Sequence, residues 1–348
     1  MLGSRIQTGC GMQSMQAFEP AIRSALGLFL ACSVSHSAHA ESWKPTRPVA
    51  LVVGATPGGS LDLTARLIQH ICEQHKLAPT PIVVLNKPGA AQGIAWDYMQ
   101  DRGNDGHAIA LGGPNLASNP ILGAHATGYR DVTTIALLFD DYTALVVRTD
   151  SPLKSMRDVV ERLRKDPAAL TIAVGPAMGG GAHIGTVVGL KAAGVRIRDV
   201  RFVVYKSAGE AMTAAIGGDV DVAAGTVANY PSQVAARRIR VIAITAPRRL
   251  GGLMADAPTL REQGIDATFT TWRSVVGPKR MAREHVAYWE DTLATVVKTN
   301  DWQQDLERNF WSANFTTGDA AWRYVEEQGK VFEDIFTELG MVKRERLH

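Results

Sequence analysis

Val53-Gly54-Ala55-Thr56-Pro57-Gly58-Gly59-Ser60-Leu61-Asp62 is the stretch on which the fold turns. The residues before it, Val49-Ala50-Leu51-Val52-Val53, form a short apolar, β-branched run, the pattern of a strand buried in a parallel sheet. After it, Thr64, Leu67, Ile68, Ile71 and Cys72 recur at helical spacing, and Asp62 and Arg66 stand four apart on one helical face. The stretch therefore reads as strand, glycine turn, helix. Ser60 suits a helix N-cap, and Gly58 and Gly59 let a ligand approach the backbone. A helix start carries unpaired N–H groups and a partial positive charge, so this turn suits an anion.

A second unit repeats the pattern. Leu170-Thr171-Ile172-Ala173-Val174 reads as a strand, Gly175-Pro176-Ala177-Met178-Gly179-Gly180-Gly181 as the turn, and residues 182–190 as a helix. Between and beyond these units, strands are expected at 81–85, 107–111, 134–139, 144–147, 201–205, 219–224 and 240–245. Helices are expected at 94–100, from Ser151-Pro152 to about Lys165, and from Gly209 to Ile216. After Pro258 the pattern turns mainly helical, at 283–298, 301–309 and 319–339. Strands alternating with helices indicate parallel α/β sheets. In such sheets ligands bind at the carboxyl ends of strands. The turns at 54–60, 86–93, 112–115, 175–181, 206–209 and 225–229 all fall there.

Composition excludes several classes. The 348 residues are 46% hydrophobic and 20% charged, with a formal net charge of +3. The basic residues are dispersed, which argues against nucleic acid as a partner. Arg5 and Arg23, the apolar run at 25–34 and Ala38-His39-Ala40 form an export signal over residues 1–40, with Met12 or Met15 as alternative starts. The run is too short to span a bilayer. Export removes Cys10 and Cys32 and leaves Cys72, on the apolar stripe of its helix, as a buried small hydrophobe. The expected location is the periplasm.

Motif chemistry narrows the field further. Gly54-x-x-x-Gly58-Gly59 lacks the Lys-Ser/Thr of a phosphate loop and the spacing of a dinucleotide fingerprint. No G-x-S-x-G elbow or H-E-x-x-H pair occurs, and His70 and His75 stand five apart, off a common ligating face. Neither cofactor nor metal is expected, and an enzyme is the weaker class. His183, in a first helical turn beside the second glycine loop, is equally open to a carboxylate contact or to packing.

These residues carry a resemblance. Pro57-Gly58-Gly59-Ser60-x-Asp62-x-x-Ala65-Arg66, Asn86-Lys87-Pro88-Gly89-Ala90, Asp105-Gly106, Gly181-x-His183, Tyr205-Lys206, Gly217-Gly218-Asp219-Val220-Asp221, residues 257–264 and Trp272-Arg273 stand in one order from about Trp43 to the last helix. The chain so resembles the periplasmic solute receptors of tripartite tricarboxylate transporters, the Bug proteins. The resemblance implies a two-lobed Venus-flytrap of the type II periplasmic binding class. Lobe 1 would comprise 41–144 and 248–348, and lobe 2 would comprise 145–247. It implies a monomer that captures a small carboxylate, citrate or another tricarboxylate foremost, and docks on membrane permease subunits. A receptor for an amino acid, an aromatic or a nicotinate-like acid, serving transport or a sensor kinase, is the alternative; a secreted hydrolase or isomerase is the other class. The ligand would meet Thr56, Pro57, Gly58, Gly59, Ser60, Asp62, Asn115, Ala177, Gly179, Gly180, Gly181 and His183. Lys206 and Arg273 would supply charge, with Ser207 and Asn229 as hydrogen-bond partners. Trp272-Arg273 before Gly277-Pro278 resembles the tricarboxylate-type members.

Overall fold

The structure, a computed structural model, describes residues 43–343 apart from Gly59 and Pro176. The export segment, with Cys10 and Cys32, lies outside the described residues, as does the expected ligand contact of Gly59. The chain runs in order through β1 (Val49–Val53), α1 (Ser60–Gln74), β2 (Ile82–Asn86), α2 (Gly93–Gln100), β3 (Ala108–Gly112) and a helix that was not expected, α3 (Asn115–Leu122). Next come β4 (Val132–Arg148), α4 (Met156–Lys165), β5 (Thr171–Val174), α5 (Gly181–Ala192), β6 (Arg201–Val204), α6 (Ala208–Gly217), β7 (Val222–Thr226), α7 (Pro231–Ala235) and β8 (Ile239–Ile244). The chain ends with β9 (Thr270–Pro278), α8 (Arg283–Val296), α9 (Asn300–Asn309), β10 (Ser312–Thr317) and α10 (Gly318–Leu339).

Sheet pairing explains how two halves share one chain. β1 lies between β2 and β3, parallel to both, and β3 pairs antiparallel with β9. In the other half β5 is parallel to β6 and β7. β4 joins them. From Val132 to Tyr142 it pairs with β9, and with β10 on its other edge; from Thr143 onward it pairs with β7 and β8. A single long antiparallel strand thus runs through two mainly parallel sheet halves.

Each half has its own core. Leu51, Ile68, Ile71, Phe139, Trp289 and Trp302 are buried together in the first, and Cys72 packs with them, unbridged. Leu145, Val174, Ile184, Trp272, Phe332 and Phe336 are buried together in the second. Each fully buried aliphatic or aromatic side chain contributes roughly 1.5–3 kcal/mol relative to exposure. α10 belongs to the second cluster through Phe332 and Phe336, so the last helix returns to back the centre of the sheet at Trp272, whose ring lies 5.8 Å from that of Phe332.

Three sequence expectations need correction. The strands expected at 134–139 and 144–147 are one strand, because Asp140 and Asp141, which read as a break, are held inside it. The helix expected from Ser151 begins at Met156: Ser155 and Asp158 form a capping box that fixes the start four residues later. The three helices expected after Pro258 are present, but the stretch also holds two strands that were not expected, β9 down the middle of the sheet and β10 along β4.

Candidate functional site

The turn after β1 is shaped by a carboxylate. Asp62, 1% exposed, accepts hydrogen bonds from the Gly58 backbone N–H (2.8 Å), Arg66 Nε (2.8 Å) and Asn86 Nδ2 (2.8 Å), while Asn86 Nδ2 also donates to the Ala55 carbonyl (3.0 Å). The Arg66 bond is the main cause that holds its pKa down to about 2, against the pull of burial. Gly58 has φ +83°, where a side chain would strain the backbone. Asp62 is thus a clasp inside the turn, with both carboxylate oxygens engaged by the turn's own groups. Thr56, Pro57 and Ser60 stand exposed around it, with Ser60 opening α1.

The neighbouring turn is strained. Ala90, Ala91 and Gln92 lie in succession at positive φ, 48°, 52° and 74°, a conformation that costs each non-glycine residue about 1–3 kcal/mol. Gln92 presses so close to Gly54 that a Cβ there would fall 2.6 Å from its own. Its Oε1 is buried without a hydrogen bond.

Strand register brings the centre together. Gly112 of β3 faces Ser274 of β9, so Gly113 falls beside Arg273; a Cβ on Gly113 would lie 3.4 Å from Arg273 Nη1. Asn115 opens α3 beside them, half-buried. Arg273 is half-buried, donates from Nη1 to the Trp272 carbonyl (3.3 Å), leaves its buried Nε unpartnered, and joins no ion pair among the described residues. Burial pushes its pKa down and Asp141 opposes this. Asp141 and Thr271 are register partners, as are Phe139 and Arg273, so all four side chains share one sheet face. Thr271 Oγ1, on a residue 6% exposed, is also buried without a partner.

The second glycine turn meets this face. A Cβ on Gly181 would lie 2.5 Å from Thr271 Oγ1, and Thr143 Oγ1 donates to the Gly181 carbonyl (3.1 Å). Gly180 is the N-cap of α5 and no side chain caps that helix, so the N–H groups of its first turn have no side-chain acceptor at the cap. Ala177 is exposed and Gly180 and Gly181 half-buried. Gly179 donates its N–H to His183 Nδ1 (3.1 Å). His183 itself is 0% exposed and packs edge-on to Phe202. Of the two roles left open for it, these contacts are those of packing, with the ring tied to its own loop through Gly179.

Burial lowers the His183 pKa to about 4. An unfolded histidine, near 6.5, takes up a proton between these values and the folded one does not. Stability from neutral His183 is therefore complete above pH 6.5 and is lost as pH falls from 6.5 to 4, by about 3 kcal/mol. His183→Asn keeps an acceptor for Gly179 without titrating. Urea unfolding across pH 4–7 should show a flatter profile for this variant than for the parent; equal slopes would place the titration elsewhere.

Lys206, Ser207 and Asn229 form a separate group. Ser207 caps α6 by accepting from the Glu210 N–H (3.1 Å), and the Lys206 N–H donates to Glu210 Oε2 (3.1 Å), leaving the exposed ammonium in no ion pair among the described residues. Asn229 Nδ2 donates to Thr226 Oγ1 (2.9 Å). Gly175 packs against the Ser207 backbone, which puts this group beside the second glycine turn, but no hydrogen bond among the described residues joins it to Arg273. Sequence reasoning missed Asp141, Thr271 and Gln92. The first two had a signal, a polar pair inside apolar runs at 137–147 and 270–276; Gln92 had none.

Solved structures share the fold. A Rhodopseudomonas palustris protein solved with adipate is 24% identical, with a TM-score of 0.72 over 86% of this chain and 99% of that one. MatC from the same species, solved with bound malate, is 21% identical, with a TM-score of 0.69 over 84% and 99%. The fold is that of the two-lobed periplasmic binding proteins. A Cupriavidus necator protein encoded in the gbd 5' region is 26% identical over 93% of this chain and 95% of its own. The model of the tripartite tricarboxylate transporter family receptors matches residues 65–341, and the chain belongs to that family: it is a solute-binding receptor, not an enzyme. No described helix is long and apolar enough to cross a membrane.

Proposed function

We propose that this receptor captures a small carboxylate, foremost a tricarboxylate such as citrate, between its sheet halves and presents it to membrane permease subunits from the periplasm. The observation that carries the reading is Arg273. It is a cation in the middle of the sheet with a buried, unpartnered Nε–H and no ion pair among the described residues, beside Gly113 and on the sheet face that meets the uncapped start of α5. A desolvated guanidinium without a carboxylate is costly, and an anionic ligand relieves that cost. The Thr271 hydroxyl offers a second hydrogen bond, and N–H groups at the start of α5 a third. Gln92 Oε1, an acceptor without a donor, favours a ligand that carries a hydroxyl beside its carboxylates.

The lobes in this reading divide at 145 and 247, and capture closes them around β4, whose pairing partners change after Tyr142. Lys206 approaches the ligand from the second lobe on closure. The family matched and the adipate- and malate-bound neighbours support a carboxylate as cargo. Thermal unfolding of the full chain against citrate, malate, adipate, glutamate and benzoate tests it. A ligand bound only by the folded form raises the midpoint in proportion to RT ln(1 + [L]/Kd). The largest rise is expected with citrate; a larger one with a monocarboxylate contradicts the assignment.

A further inference from the structure

A carboxylate in the floor of an anion site is an anomaly that the reading above leaves unused. Asp141 lies 1% exposed on the sheet face that carries Arg273. Because Asp141 pairs with Thr271 and Phe139 with Arg273, Asp141 and Arg273 are diagonal neighbours across β4 and β9, within reach of a long side chain. The two do not form an ion pair, so Arg273 is shared through space and is not locked. Around Asp141 stand the Tyr142 backbone N–H, which donates to its Oδ1 (2.8 Å), the Asp140 carboxylate on its own strand, and the Thr271 hydroxyl and Arg273 on β9. From the segment before β10 comes the Trp311 indole, whose buried Nε1–H lies near the Asp141 carboxylate and favours its ionised form. Arg273 is the one cation in that set.

We propose that Asp141 is a positioning residue that couples anion capture to uptake of one proton: it stays ionised while Arg273 faces it unoccupied, and takes a proton when an anion engages Arg273. The coupling rests on the assignment of Arg273 to the ligand. Its physical basis is that the arriving anion both withdraws the guanidinium from Asp141 and adds a negative charge nearby, and each change favours the neutral acid. Burial already raises the Asp141 pKa to about 6, with Arg273 the largest opposing influence, so little further push brings the group into the neutral range. Below that value the acid is neutral with or without ligand and affinity is at its highest. Above it, binding draws in a proton, and affinity falls as pH rises, by up to about tenfold per pH unit.

The test follows the Asp141 side-chain carboxyl by carbon NMR from pH 4 to pH 8, with the signal assigned through Asp141→Asn and Asp140→Asn as control. The full chain is measured alone, as Arg273→Gln, as Arg273→Lys, and with saturating malate, whose own carboxyl groups stay ionised across the upper half of that range. The midpoint should rise by a unit or more in Arg273→Gln and with malate, and stay near the parent value in Arg273→Lys. An unchanged midpoint in Arg273→Gln overturns the coupling whatever the ligand proves to be. A midpoint that rises in Arg273→Gln, together with no binding of malate, citrate or adipate to the parent, overturns instead the assignment of Arg273 to a carboxylate and with it the capture step.

Discussion

Arg273→Gln should weaken carboxylate binding on the order of a hundredfold while leaving the fold as stable as before or more so. A hydrogen bond to a charged group contributes roughly 1.5–3 kcal/mol, and the guanidinium supplies one or two of them to a ligand carboxylate. In the free protein the side chain makes few bonds of its own: its Nε–H is buried and unpartnered, its Nη1 meets only the Trp272 carbonyl, and its through-space attraction to Asp141 is offset by the cost of its own desolvation. Glutamine removes that desolvated charge, so the loss appears in ligand affinity and not in unfolding. Calorimetry with citrate and with malate, beside thermal unfolding of the ligand-free proteins, separates the two. The loss should be larger for the tricarboxylate. Equal loss for both would detach Arg273 from the extra carboxylate, and a destabilised variant with unchanged affinity would make the residue structural.

The second large effect falls on the clasp of the first glycine turn. Asp62→Ala should cost about 2–3 kcal/mol of stability, because it removes the acceptor shared by the Gly58 N–H and Asn86 Nδ2 in a buried place. Arg66 is half exposed and recovers water, so its share is small. Asp62→Asn should do nearly as badly, since its amide turns a donor towards donors. The pH dependence has the opposite cause from that of His183. With a folded pKa of about 2 against an ordinary value near 4, Asp62 contributes above pH 4 and loses its contribution as pH falls from 4 to 2. Urea unfolding of both variants measures this; an Asp62→Ala protein as stable as its parent would remove the clasp from the account.

Apart from β4, the strands through β8 were legible because each is a short apolar run closed by glycine or a small polar residue, whereas α3 and α7 left no helical periodicity that the sequence reading caught. The final helices were equally clear from their periodicity. What escaped were the segments whose polar residues are buried inside strands. Asp140 and Asp141 interrupted an apolar run and read as a loop, yet β4 continues through them with Asp141 buried between strands. Thr271 and Arg273 broke the alternation of β9 in the same way. The two glycine turns and Arg273 stood out from sequence. The interior role of Asp62 did not, because only the backbone path shows that it turns back on its own loop, and for His183 packing was one of two readings that the sequence left open.

The account stands or falls on where a carboxylate sits, and crystals of the receptor grown with citrate show that most directly. The expected electron density places one ligand carboxylate against Arg273 and Thr271 and another at the N–H groups opening α5, with the lobes closed around β4. Citrate bound elsewhere, with Arg273 untouched and the cleft filled by solvent, would contradict it.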